Sequence, residues 1–138
     1  MENRILPVHF YKPKFEDLWF RQALAVDPET VSYICGSFDP MSFLRDEWGK
    51  WYESWVEKPE KRFYRYITTG KSRSFVGEAY YFYDEQRTTW LAGITVCSKG
   101  RRQNYESAAL QLLCAAAIEA GIPEKDLKTW KQKYFKGK

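Results

Sequence analysis

Arg101 and Arg102 stand in a short basic turn, residues 98–104, between a strand-like run (residues 90–97) and a helix-like run ending at Gly121. A strand, a tight turn and a helix N-terminus together suit an anion. The turn exposes backbone N–H groups, and the first helical turn adds unpaired donors and a partial positive charge. Two arginines add full charges at that point, so an anion is the ligand expected there. Two other residues could move a proton. Glu78 lies in the run that precedes the basic turn's strand, and spacing alone leaves it either a general base or an outward-facing carboxylate on an alternating strand. His9 has the right ordinary pKa for base work, but it is remote from the turn and reads as structural. Cys35, Cys97 and Cys114 contain no CxxC pair and are joined by one His, which argues against zinc. Cys97 and Cys114 read as core packing, and the odd cysteine count fits a reducing, cytoplasmic setting.

The elements that must position these groups follow from periodicity. Residues 6–11 form a short strand candidate. Residues 15–26 read as a helix with Leu18, Trp19, Gln22 and Val26 near helical spacing. Asp27 and Pro28 suit the N-cap and first position of a short helical turn through Tyr33, and residues 35–40 read as loop. Residues 42–57 read as a helix with Leu44, Trp48, Trp51, Tyr52 and Trp55 in one aromatic stripe, expected to pack on a sheet. Residues 62–68, 75–83 and 88–97 read as strands joined by short polar turns, an antiparallel meander. Small residues at Ala92 and Gly93 allow a close approach to the last strand. Residues 107–120 make a helix with Leu110, Leu113, Cys114 and Ala117 on one face and Gly121 as its stop. Pro123 opens a final amphipathic segment with Leu127, Trp130 and Tyr134 on one stripe.

The composition of the 138 residues is that of an ordinary globular protein, 44% hydrophobic and 29% charged, so one domain over residues 1–138 is expected. Aromatics make up 18%, which predicts a core built on a few large rings. The net charge of +4 is partly that of the terminal lysines Lys131, Lys133, Lys136 and Lys138, a solvated end rather than a nucleic-acid arm. No run approaches the ~20 apolar residues of a membrane span. A base-stacking sheet is disfavoured because the rings of residues 75–83 fall on both strand faces and no RNP-like pattern appears.

The run FVGEAYYFYDEQRTTWLAGITVCSKGRRQNYESAALQLLCAAAIEAGI resembles the central core of GNAT-superfamily N-acetyltransferases, in the branch that includes the ribosomal-protein acetyltransferases. FEDLWFRQALAVDPETVSYI and WGKWYESW are similar to that branch's first helices. The resemblance covers residues 7–122 and implies an α+β fold, a GNAT-like antiparallel meander with helices on its faces. It also implies that the closing C-terminal strands are missing and that the domain is incomplete at that end. It further implies an acetyl-CoA-dependent transfer of an acetyl group to an amine, on a small molecule or on a protein N-terminus or lysine.

Carried over by position, Ile94, Thr95 and Val96 would line the pantetheine arm. Arg101, Arg102, Gln103, Asn104, Tyr105 and Glu106 would form the pyrophosphate turn. Glu78, a carboxylate on the strand next to the cofactor strand, is the best candidate for the catalytic base. The family pattern Gln/Arg-x-x-Gly-x-Gly/Ala is met at Arg101. Asn104 stands at the first Gly, where Asn can adopt positive φ. Glu106 stands at the second, where a carboxylate meets the phosphates. The family's general-acid Tyr has no match, Tyr134 being the one Tyr after the turn helix. An uncovered edge on the strand of residues 88–97 invites a second copy, unless the segment 123–135 covers it. The alternative reading is a catalytically inactive GNAT-like core that serves as a binding or dimerisation module.

Overall fold

The computed structural model describes residues 8–26, 45–69, 75–96 and 105–135. Four strands, β1 (Val8–Tyr11), β2 (Arg62–Thr69), β3 (Phe75–Asp84) and β4 (Thr89–Val96), form one antiparallel sheet in the order β1-β2-β3-β4. The expected meander is therefore present, with boundaries shifted by a residue or two. The fold is α+β. The expected turns and loops at residues 27–44, 70–74 and 97–104, with Cys35 and Cys97, lie outside the described residues.

Alternation along the strands sorts side chains to two faces. Ile67, Ala79, Tyr81, Ala92, Ile94 and Val96 point to one face and are covered by two helices, α3 (Tyr105–Ala120) and α4 (Glu124–Phe135). Leu110, Leu113, Cys114 and Ala117 of α3 are buried there, as their spacing predicts, with Leu127 and Trp130 of α4 beside them. Gly121 ends α3 at φ +88, its N–H donating to the Ile118 carbonyl while that of Ile122 reaches Ala117. This pair of bonds is a Schellman stop, which needs a residue free to take positive φ.

The opposite face carries Tyr64, Tyr66, Glu78 and Tyr80. It packs against α1 (Leu18–Val26), entered through a 3-10 turn (Phe15–Asp17), and against α2 (Trp48–Tyr52), which follows a 3-10 turn (Arg45–Glu47) and runs into a π turn (Glu53–Glu57). The single helix expected over residues 42–57 is thus three short pieces. The π turn shifts the register so that Trp51 and Trp55 stack, 6.2 Å apart, and both meet the Tyr64 ring edge-on. Trp48 instead packs on Leu18 of α1. The expected stripe on α1 needs correction: Leu18, Phe20 and Leu24 are buried, whereas Trp19 is 55% exposed.

One irregularity sits near the start of β3, the end that pairs with Val96 of β4. Ile67 pairs with Gly77 but Thr68 pairs with Phe75, so Val76 is an extra residue in β3. A bulge of this kind sharpens local twist and reverses the side-chain alternation before it. Phe75 is thereby sent to the α1 face, where it meets Tyr66 and Phe20.

Candidate functional site

On the α1 face, β3 places a carboxylate among rings. Glu78 is 9% exposed, and its Oε1 accepts a short hydrogen bond from the Tyr64 hydroxyl and lies 3.4 Å from Arg21 Nε. The Arg21 guanidinium also lies over the Trp51 ring, 4.5 Å from its centroid. A buried carboxylate needs such partners, because leaving it unpaired in a low-dielectric interior costs several kcal/mol. Glu78 is therefore not the outward-facing residue of an alternating strand. Tyr64 and Tyr80 stack beside it, and Trp55 closes the group against Tyr64, Tyr80 and Phe82.

Arg21 is held there by the backbone of its own helix. The Tyr66 hydroxyl accepts from the Arg21 N–H at 3.2 Å and donates to the Asp17 carbonyl at 2.7 Å. Those two backbone groups are the pair that a regular i to i−4 helical bond would join. The phenol thus sits inside the first turn and ties α1 to β2. Asp17 completes the corner by accepting from the Tyr11 hydroxyl at 2.6 Å and the Lys14 N–H at 3.0 Å, and that bond pushes the Tyr11 phenol up to about 12.

The phenols of this face are held neutral. Burial, followed by the charge of Glu78, pushes Tyr64 well above the ordinary 10.0, with Arg21 opposing. Burial likewise raises Tyr66 and Tyr80. A phenol whose folded pKa is raised contributes stability that is complete below its unfolded pKa and is lost as pH rises through the folded value. Titrating tyrosinate absorbance alongside circular dichroism should therefore show part of the ten tyrosines ionising only as the fold is lost above pH 10. Complete ionisation near pH 10 with the fold intact would contradict this account.

β4 is the neighbour of β3, and Thr95 is the direct cross-strand partner of Glu78. The Thr95 side chain is buried on the α1 face, whereas the side chains of Ile94 and Val96 are in the core under α3. Only their backbone groups could serve a pantetheine arm. Gly93 lies under the Tyr80 ring, so close that a Cβ there would stand 2.3 Å from the ring. The absence of a side chain at Gly93 thus lets β3 lean a phenol across β4.

No family model, curated protein or solved structure matches the chain. The site must be judged on its own geometry.

The structure brings together Glu78 and Thr95, and it places Tyr105 and Glu106, both half-buried, in the first turn of α3. Arg101, Arg102, Gln103 and Asn104 lie outside the described residues. His9 is exposed, and Cys114 is buried, with its thiol pushed up by that burial. Among the described residues no group of three His, Cys, Asp or Glu could hold a metal ion, and no helix is long and apolar enough to cross a membrane.

Sequence reasoning missed Arg21 and Tyr64. The available signal was Arg21 itself, a cation three residues from both Leu18 and Leu24 on the apolar side of α1. It also left open what covers the β4 edge. Trp130 Nε1 donates to the Trp90 carbonyl at 3.0 Å and Lys133 Nζ to the Ala92 carbonyl at 3.3 Å, while the Thr89 hydroxyl donates to Asp126 Oδ1 at 2.7 Å. Helix α4 therefore supplies side-chain donors to this part of the strand edge.

Proposed function

We propose that the chain is an acetyl-CoA-dependent N-acetyltransferase of GNAT type, acting on an amine carried by a small molecule or by a protein N-terminus or lysine. The observation that carries this reading is the succession of elements at one end of the sheet. β4 ends at Val96, and after residues 97–104 helix α3 opens at Tyr105 on the opposite face from α1 and α2. An antiparallel β1-β2-β3-β4 order with that helix placement is what the resemblance implies.

The amides of acetyl-CoA's extended arm are of the kind that pair with strand backbone. Ile94, Thr95 and Val96 would hold the pantetheine. Arg101, Arg102, Gln103 and Asn104, with Tyr105 and Glu106, would hold the diphosphate. The Glu106 carboxylate opposes this by about 1–4 kcal/mol if it stands within ~4 Å of a phosphate. Acetyl-CoA supplies the activated acyl group. The protein's part is to align the amine and to receive its proton. Glu78 Oε1 is already engaged by the Arg21 guanidinium and the Tyr64 hydroxyl. We therefore assign Glu78 first to fixing α1 over β3, with the amine's proton passing to water.

That same pairing favours a second reading, a GNAT-like core without catalysis that binds a partner. Pairing of a second copy along β4 would have to avoid or displace the α4 donors at Trp90 and Ala92. Calorimetric titration with acetyl-CoA tests the first reading. Binding should appear and should stabilise the fold by about 2.7 kcal/mol at ~100 times Kd. An absence of heat and of thermal shift at millimolar acetyl-CoA would sink it. Binding without acetyl transfer to any amine in a panel of small amines and peptides would favour the second.

A further inference from the structure

The sheet face that α3 and α4 cover also carries a cation, and its surroundings differ from those of Arg21. Arg65 of β2 lies on that face between Phe63 and Ile67, half-buried, with its guanidinium 4.4 Å from the centre of the Phe63 ring. Its Nη1 donates to the Tyr64 carbonyl at 2.7 Å, its one hydrogen bond to a described residue, which uses one of the group's five N–H donors. Among the described residues no carboxylate forms an ion pair with it, whereas Arg21 on the other face has Glu78. Burial lowers the pKa of Arg65, and the Tyr81 phenol opposes that shift. Tyr81 stands in a row of rings, 5.0 Å from Phe63 and 5.5 Å from Trp130, and its hydroxyl makes no hydrogen bond to a described residue.

We propose that Arg65 and Tyr81 form a binding site for an organic carboxylate carried next to an apolar or aromatic group. The guanidinium offers its remaining N–H donors in a planar fork and the phenol offers an O–H. Both need an acceptor, and the described residues supply none beyond the Tyr64 carbonyl. Tyr81 is buried while Arg65, Phe63 and Phe10 are partly exposed, so the phenol forms the inner side of the site and the guanidinium its mouth, bordered by two rings. A carboxylate matches this set. It brings two coplanar oxygens, which a fork and a hydroxyl can share, and a single charge, which one guanidinium neutralises. A phosphate monoester brings close to two charges to a place with one cation among rings, and stripping water from the second is costly. The site lies on β2 and β3 and uses no group assigned to the coenzyme, so it stands apart from the acetyltransferase reading.

The test uses the full chain and two probes, phenylpropionate and the peptide acetyl-Gly-Phe with a free C-terminal carboxylate, each against its neutral amide. The Arg65 Nε–H resonance, identified by its loss in Arg65→Lys, should shift and saturate with a Kd of roughly 1 mM for ligands of this size, and the amides should leave it in place. Arg65→Met should weaken binding at least about tenfold, and Tyr81→Phe, which keeps the ring row, about three- to tenfold. Arg65→Met should also leave the melting temperature of the free protein unchanged or higher, because it removes a half-buried charge that has no carboxylate beside it. A fall as large as that caused by Arg21→Met would reveal a partner within the chain and overturn the inference. So would the absence of a shift with either acid at roughly 10 mM. Equal or tighter binding of phenyl phosphate or of a thymidine oligonucleotide would overturn the carboxylate assignment. Tighter binding of the peptide than of phenylpropionate assigns the site to chain termini, and equal or weaker binding assigns it to free acids; both support it.

Discussion

Changing Glu78 to Gln with Arg21 left in place is expected to lower the unfolding free energy by about 3 kcal/mol, the lower end of the range for breaking a buried ion pair. The reason is the orphaned partner. Arg21 is 20% exposed at its side chain, lies over Trp51 and is drawn into the face by its own helix. Without the carboxylate its charge stays among rings that cannot neutralise it, and the Tyr64 hydroxyl loses its anionic acceptor. Arg21→Met alone should cost a similar amount, by leaving Glu78 buried and unpaired. The double variant Arg21→Met with Glu78→Leu should recover most of the loss, because a packed apolar pair carries no desolvation penalty. In urea, with a slope of about 1–3 kcal/mol/M, each single change should move the midpoint by about 1–3 M, and the cycle should show a large coupling. Additive losses in the double variant would show that the pair is not an energetic unit.

That ion pair also marks where sequence reading stops. Residues 62–68, 75–83 and 88–97 located β2, β3 and β4 through the alternation of the first, the aromatic content of the second and the short polar turns between them. The four apolar positions of α3 were legible from their helical period. Periodicity cannot say which of two faces of a short helix is buried when aromatics lie on both, so Trp19 was placed inside although it stands outside the buried stripe of Leu18, Phe20 and Leu24. Nor can it pair Arg21 with a carboxylate fifty-seven residues away, since only the assembled sheet brings α1 over β3. The break of the second helix into 3-10, α and π pieces was equally hidden. It serves the ring contacts of Trp51 and Trp55 with Tyr64, which are tertiary. For the candidate site, the order of strand, turn and helix was legible. The donors of Trp130 and Lys133 were not, because a lysine-rich terminal segment has the composition of a solvated face whether or not one of its side chains turns back to a strand.

Gly77→Ala should be about as damaging as breaking the ion pair, through backbone alone. Gly77 pairs with Val96 across β3 and β4, and a Cβ added there would lie 2.2 Å from the Thr95 carbonyl oxygen and 3.0 Å from the Val96 Cα. Both obstacles are main chain, so no rotamer change relieves them, and the two strands must part at that point. The neighbouring Val76 bulge limits the relief, because β3 is already displaced by one residue there relative to β2. Overpacking of this kind costs about 1–3 kcal/mol and sometimes more, and the ladder bonds lost as the strands separate place this case at the upper end. With a melting temperature that moves by about 3–5 °C per kcal/mol for a chain of this size, a fall of roughly 9–15 °C is expected. Gly49→Ala is the internal control. An added Cβ at Gly49 meets nothing within 4 Å, and the residue lies in helix α2, so this change should stabilise by about 0.5–1 kcal/mol. Equal melting temperatures for the two variants would mean that β3 and β4 do not approach so closely at Gly77. Under the acetyltransferase reading Gly77→Ala should also weaken acetyl-CoA binding more than its stability loss explains. The strand end that it displaces is the Thr95–Val96 end, which that reading assigns to the coenzyme arm.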